Sequence, residues 1–223
     1  MSSDTAVAPG ADAPSLVVGE QFDDAPQQQA AASLGMWLFL ATEIMFFGAL
    51  FMAYAIARVR FPDAFAAASR HTELVLGTAN TAILLTSSAF MALAVEAARV
   101  NARKLTMVLL LVTAVLGAVF GGIKLTEYVI DYRDHLVPWL DFAFDPRHAT
   151  GASIFFSLYF TMTGLHLVHL VVGIALVLAV AWGVGRQRRN VVGDHVEIVG
   201  LYWHFVDIVW IFLYPCLYLI SRA

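Results

Sequence analysis

Long apolar runs separated by short polar breaks dominate the chain from residue 31 onward. A helix needs about 20 predominantly apolar residues to cross the hydrocarbon core of a bilayer. Five runs reach that length, at 31 to 57, 76 to 98, 105 to 129, 152 to 184 and 198 to 220. The breaks are Arg58 to His71 with Pro62, Asn101 to Lys104, Asp131 to Thr150 with Pro138 and Pro146, and Arg186 to Asp194. Each reads as a loop by composition. Backbone N–H and C=O groups in lipid must be satisfied within the segment that carries them, so the runs are helices rather than open strands. The alternation of a membrane β-barrel is absent. The pattern predicts an all-α polytopic membrane protein, a bundle of five transmembrane helices over 31–223.

Residues 1–30 read differently, as a disordered or peripheral N-terminal tail. They hold Asp4, Asp12, Glu20, Asp23, Asp24 and three prolines, with no Lys or Arg and no compact apolar stretch. That is unlike a signal peptide, so the first apolar helix is expected to direct insertion and to remain in the mature protein.

Composition supports the membrane reading. Of the 223 residues, 60% are hydrophobic and only 13% charged, where a soluble domain carries about a quarter charged. The formal net charge of −4 comes largely from the ends and loops and says little about acidic or basic partners; a nucleic-acid ligand is not expected. Cys216, the single cysteine, lies in an apolar run, which excludes a disulfide, a C-x-x-C redox pair and a thiolate metal site. It reads as a small buried apolar residue.

Five spans put the termini on opposite sides. Arg99, Arg103, Lys104, Arg186, Arg188 and Arg189 crowd two short breaks, whereas Arg133 and Arg147 share a longer one with four aspartates. Cation density in short loops therefore places the N-terminus in the cytoplasm.

Ionisable groups at membrane depth cost at least about 2.5 kcal/mol on insertion scales, so they should face protein, a cavity or bound headgroups. Glu43 sits near the middle of the first helix with no basic neighbour one turn away on that helix. It reads either as a proton-linked or lipid-contacting group, or as a neutral acid hydrogen-bonded to a neighbouring helix. Lys124 and Glu127, spaced i, i+3, are placed to pair with each other or snorkel to the interface. His204 and Asp207 share the same spacing and a similar local pairing. His166 and His169 on the fourth helix face the choice between interhelical hydrogen bonds and holding a haem together with His204. A haem-copper centre needs several histidines from at least three helices, and the first three spans contain none. The hydrogen-bonding residues Asn80, Thr81, Thr86, Ser87 and Ser88, and the glycines Gly117, Gly121 and Gly122, read as helix-packing positions. Tyr54, Tyr132, Trp139, Trp182 and Tyr202 read as interface belts.

Particular motifs narrow the choice. Thr42-Glu43-Ile44-Met45-Phe46-Phe47 resembles the Ser/Thr-Glu-x-Met-Phe-Phe signature of cytochrome c oxidase subunit III. Asn80-Thr81 with Leu84-Leu85 and Ser87, then Glu127-Tyr128, continue the likeness. The fourth helix offers Phe155-Phe156, Thr163-Gly164-Leu165-His166-Leu167-Val168-His169 and Gly173. The last helix offers Glu197 and then Tyr202 through Tyr214, with Tyr202-Trp203-His204 and Asp207 at its start. The resemblance runs in order from about Gly35 to Tyr218 and matches the five-helix short form of the haem-copper oxidase subunit III family. The long form has seven helices, so any cleft wall that its first two supply must come from another subunit here or be missing.

The resemblance implies a non-catalytic subunit of a proton-pumping terminal oxidase in a bacterial plasma membrane, in direct contact with oxidase subunit I and assembled with subunit II. No cofactor or metal is expected in this chain; haem and copper belong to partner subunits. Bound phospholipid is expected, with support of proton uptake. Glu43, Glu127, His166, His169, Glu197, His204 and Asp207 carry over by residue matching as intramembrane hydrogen-bonding, lipid or proton-path positions. Arg186, with Arg188 and Arg189, suits a phosphate headgroup, against plain topology-setting charge. Within the superfamily, a quinol oxidase or a nitric oxide reductase-associated homologue fits five helices equally. Outside it stand a small proton-coupled transporter and a bis-histidine membrane cytochrome. The transporter reading lacks the internal repeat and paired broken helices of such proteins.

Overall fold

A computed structural model of the chain describes residues 23–140, 142–186 and 192–220. Among the described residues it contains six helices and no strand. They are α1 (Ala25–Arg60), α2 (Pro62–Ser69), α3 (Leu74–Arg99), α4 (Arg103–Arg133), α5 (Ala149–Arg186) and α6 (Val192–Tyr218). All but α2 are long and apolar enough to cross a membrane. At 1.5 Å per residue the 36-residue α1 measures about 54 Å, well beyond a hydrocarbon core of about 30 Å, so its ends reach past the lipid tails.

The boundaries differ from the apolar runs for local reasons. Helix α1 begins at Ala25 rather than residue 31, because Asp24 caps it: its carboxylate accepts the Gln27 N–H at 2.8 Å, and Pro26 occupies the first turn. The Gln27 amide oxygen in turn accepts the Asp23 N–H at 2.7 Å. The break at Arg58 to His71 is not wholly a loop. It contains α2, whose Pro62 sits in the first turn, where the missing N–H removes no intrahelical bond. Helix α4 continues to Arg133, so Asp131 and Tyr132 belong to a helix end rather than to the following loop.

The core is a ring of four helices. Helix α3 packs against α4 and α6, and α5 closes the ring against the same two. Helix α1 lies outside it on α5 and α6, while α2 packs on α5. Small residues set the closest approaches, as in membrane bundles generally. Trp203 of α6 is fully buried between two glycines. A Cβ on Gly117 of α4 would fall 2.7 Å from the indole Cη2, and one on Gly173 of α5 would fall 3.2 Å from Cε3. Gly151 of α5 plays the same part beneath α2, where a Cβ would come within 2.5 Å of Ala64 Cβ. Gly121 meets Leu167 only at 3.7 Å and Gly122 faces open space, so Gly117 alone of the three expected packing glycines is a close-contact position.

Large apolar side chains that remain exposed, among them Leu34, Met45, Met52 and Val59 on α1 and Val168 and Val171 on α5, point outward from the bundle. In a bilayer that surface meets lipid tails or a partner helix.

Candidate functional site

The most polar locus inside the bundle is built on α4. Lys124, Glu127 and Asp131 follow one another at i, i+3 and i+7, which puts them on one face, and that face is turned inward. Each is at most 1% exposed, so Lys124 does not snorkel. Its ammonium donates to Glu127 Oε2 at 2.9 Å, to the Tyr159 hydroxyl of α5 at 2.9 Å and to the Tyr218 hydroxyl of α6 at 2.7 Å. All three ammonium donors are thereby used. Tyr218 donates its own proton to Glu127 Oε1 at 2.7 Å, and Tyr159 donates to Asp131 Oδ2 at 3.0 Å. The ammonium also lies 4.4 Å from the Tyr159 ring centroid, close enough for a cation–π contact. One cation thus ties together α4, α5 and α6.

Above the cluster on α5, Tyr159 is followed by Thr163 and His166, a buried stripe at helical spacing. Thr163 pairs with the Tyr128 hydroxyl at 2.7 Å. His166 is wedged between Phe120, with ring centroids 5.6 Å apart, and Trp210, 5.1 Å apart. Neither of its ring nitrogens has a hydrogen-bond partner among the described residues. Asn80 of α3 is likewise buried without such a partner, while its neighbour Thr81 accepts the Trp210 indole N–H at 3.0 Å.

One turn further, His169 leaves the ring and meets α1. Its Nε2 lies 3.1 Å from Glu43 Oε2 and its Nδ1 2.8 Å from the Leu165 carbonyl. Both side chains are nearly buried, at 19% exposure for Glu43 and 16% for His169. The partner for Glu43 is therefore on another helix, which spacing along α1 alone could not show. Tyr202 donates to the His169 carbonyl at 3.0 Å, and Tyr54 donates to the Cys216 carbonyl. These two tyrosines are buried cross-links between helices rather than interface-belt residues. Tyr132, Trp139 and Trp182 are exposed, as a belt requires. Cys216 itself is half-buried.

On the α3 side, His204 Nδ1 lies 2.9 Å from Ser88 Oγ and 3.9 Å from Asp207 Oδ2. The expected local pairing of His204 with Asp207 is thus a long contact, and Ser88 is the nearer partner. Ser87 Oγ donates to the Thr113 carbonyl at 3.2 Å, joining α3 to α4. Glu197 makes an exposed ion pair with Arg99 at 3.2 Å, and Arg99 also reaches Glu96 at 3.5 Å. The Arg186 guanidinium sits over the Trp182 ring at 4.6 Å. Arg188 and Arg189 lie outside the described residues.

An apolar cleft of about 490 Å³ separates α1 from α6. Trp37, Leu40 and Phe51 line one wall and Leu201, Phe205 and Phe212 the other, with His204 at its edge. Among the described residues, no three His, Cys, Asp or Glu side chains are grouped as a metal site.

The sequence-predicted positions thus fall into separate places. Glu127 and His166 lie on the inner polar stripe, Glu43 and His169 form the α1 contact, His204 and Asp207 face α3, and Glu197 and Arg186 occupy helix ends. Sequence reasoning missed Tyr159, Tyr218 and Asp131 as members of the α4 cluster. The stripe Tyr159, Thr163, His166 at i, i+4, i+7 was the available signal.

The family model for cytochrome c oxidase subunit III matches residues 21–222. The cytochrome c oxidase subunit 3 of Thermostichus vulcanus is 31% identical over 85% of this chain and 87% of its own. The cytochrome bo(3) ubiquinol oxidase subunit 3 of Pseudomonas aeruginosa is 31% identical over 92% of both chains. The quinol oxidase subunit 3 of Bacillus spizizenii is 30% identical over 84% of this chain and 86% of its own. With the motifs in order along the five spanning helices and the match extending over nearly the whole sequence, this chain belongs to the subunit III family of the haem-copper terminal oxidases.

Proposed function

We propose that this chain is a subunit without an active site of its own, in direct contact with the haem-bearing subunit I of a proton-pumping oxidase, and that it holds phospholipid beside α1. The observation that carries this reading is the α1–α6 cleft: apolar on both walls and about 490 Å³ in volume. A lipid there fills space that helix α1 leaves open. Glu43 and His169 brace the helix next to it. The outward apolar faces of α1 and α5 suit a partner helix.

The histidines support an absence of haem in this chain. His169 already engages both nitrogens, His204 pairs with Ser88, and His166 is enclosed by Phe120 and Trp210. An axial ligand would have to give up those contacts. Glu127 serves as an intramembrane anchor, Glu197 ties α6 to α3, and Arg186 supplies a cation for a headgroup phosphate. Its end of the bundle also carries Arg99, Arg103 and Lys104, and that cation density supports a cytoplasmic N-terminus. Cytochrome c is the donor favoured by the Glu43 to Phe47 and Tyr202 to His204 sequence forms. A quinol donor is the second reading, favoured by the Pseudomonas aeruginosa relative.

The test is an oxidase complex purified from cells lacking this chain. Full haem content per subunit I, initial oxygen consumption near that of the intact complex, and loss of co-purifying phospholipid are expected. Loss of a haem in proportion to this chain would overturn the reading.

A further inference from the structure

Lys124, Glu127 and Asp131 present one formal positive and two negative charges inside the bundle, an excess of one negative charge with no further cation in contact among the described residues. Each polar atom used in the cluster's hydrogen bonds is held by Lys124, Tyr159 or Tyr218, and all five side chains are buried. An uncompensated charge removed from water costs several kcal/mol, and lipid surroundings offer no water to lower that cost. The simplest correction is one proton, since it leaves a neutral cluster of an ammonium, one carboxylate and one carboxylic acid.

We propose that this cluster is a proton-binding site that holds one exchangeable proton, shared between Glu127 and Asp131. The two carboxyls lie one turn apart on α4 and are joined by one chain of hydrogen bonds: the Lys124 ammonium donates to Glu127 and to the Tyr159 hydroxyl, which donates in turn to Asp131. The proton belongs to the pair, not to one residue. Access is from the α4 end. Asp131 is two residues from the last residue of α4, and Asp134, exposed, follows at that helix end. Protons enter from water at Asp134 and return there; no bond other than O–H is made or broken. The groups facing the pair are Lys124, Tyr128 and Asp134 from α4, Tyr159 and His166 from α5, and Tyr218 from α6, while α3 meets the cluster at Gly77 against the Tyr218 ring. His166, with both nitrogens unpartnered among the described residues, touches Trp210, whose ring also lies 5.8 Å from the Lys124 ammonium. The site does not depend on which donor feeds the oxidase.

Infrared spectroscopy of the intact complex tests this through the C=O stretch of an undissociated carboxyl, read as variant-minus-wild-type differences before and after exchange into D2O. Charge balance predicts that Glu127→Gln and Asp131→Asn each abolish the same band, because either leaves one cation with one anion. Lys124→Gln should roughly double it, since two acids without a cation must both stay neutral. A band that persists in either amide variant would mean that the remaining carboxyl keeps a proton beside the Lys124 ammonium, and that result overturns the charge balance on which the site rests. No band sensitive to either carboxyl overturns the site. Where the amide variants fail to assemble, Tyr218→Phe keeps all three charged groups and removes the hydroxyl donated to Glu127. It should shift the band without removing it, and an unmoved band is again contrary.

Discussion

Replacing Gly117 with alanine tests the packing account at its tightest point. In an unconstrained helix the change should stabilise by about 1 kcal/mol, because glycine loses more backbone freedom on ordering. Here the new Cβ would meet Trp203 Cη2 at 2.7 Å, with Cζ2 at 3.2 Å and Ile174 Cγ1 at 3.3 Å. Carbon atoms prefer about 3.5 to 4.0 Å, so the closest contact is about 1 Å too short. The indole cannot slide away, since Gly173 already lets α5 approach its other side as closely as a missing Cβ permits. Overpacking of this kind costs about 1 to 3 kcal/mol. The net expectation is a loss of about 1 kcal/mol, a fall in melting temperature of about 3 °C by the scaling for chains of this size. Gly122→Ala on the same helix is the control: nothing lies within 4 Å, so it should be neutral or slightly stabilising. Thermal denaturation of the detergent-solubilised complex, followed by release of this chain, reads both. A Gly117→Ala complex as stable as wild type, or a Gly122→Ala complex equally weakened, would refute the reasoning.

Further expectations concern the polar contacts. Glu43→Ala should loosen α1 by about 1.5 to 3 kcal/mol, the range for a hydrogen bond to a charged group, and limited proteolysis of the α1–α2 connection would register it. Arg99→Ala should change stability by less than about 1 kcal/mol, because its pairs with Glu96 and Glu197 are solvent-exposed; denaturation of the same complex gives the comparison. Lys124→Ala should be among the most damaging single changes, at about 3 to 5 kcal/mol, since it leaves the Glu127 carboxylate and the Tyr159 and Tyr218 hydroxyls without their common partner. The yield of assembled complex is the readout. Delipidation in strong detergent should lower stability in the wild type by more than in a Gly48→Leu variant, whose side chain would project into the α1–α6 cleft.

Much of this architecture could be read along the chain, and the failures have physical causes. The five spans follow from length and hydropathy alone, because lipid imposes helices on any long apolar run. Their ends do not, since Asp24 caps α1 through one side-chain hydrogen bond and α4 extends a turn into residues that look like loop. Helix α2 was hidden because Pro62 signals a break by composition yet begins a helix by position. Site residues divide the same way. Lys124 and Glu127 are local i, i+3 partners and were legible, whereas Tyr159, Tyr218 and Asp131 join them only through the packing of three helices. Glu43 finds His169 across 126 positions. Tyr54 and Tyr202 have the composition of belt residues, but their hydroxyls face backbone carbonyls inside the bundle.

The central claim is that this chain works as a haem-free part of a terminal oxidase. Its most direct test is to purify the tagged chain in mild detergent from its native membrane, identify the co-purifying proteins and record a reduced-minus-oxidised spectrum before and after separating the subunits. The account predicts a haem-containing subunit I in stoichiometric amount and no haem on this chain once separated. A chain recovered alone, or one that keeps a haem of its own, would contradict it.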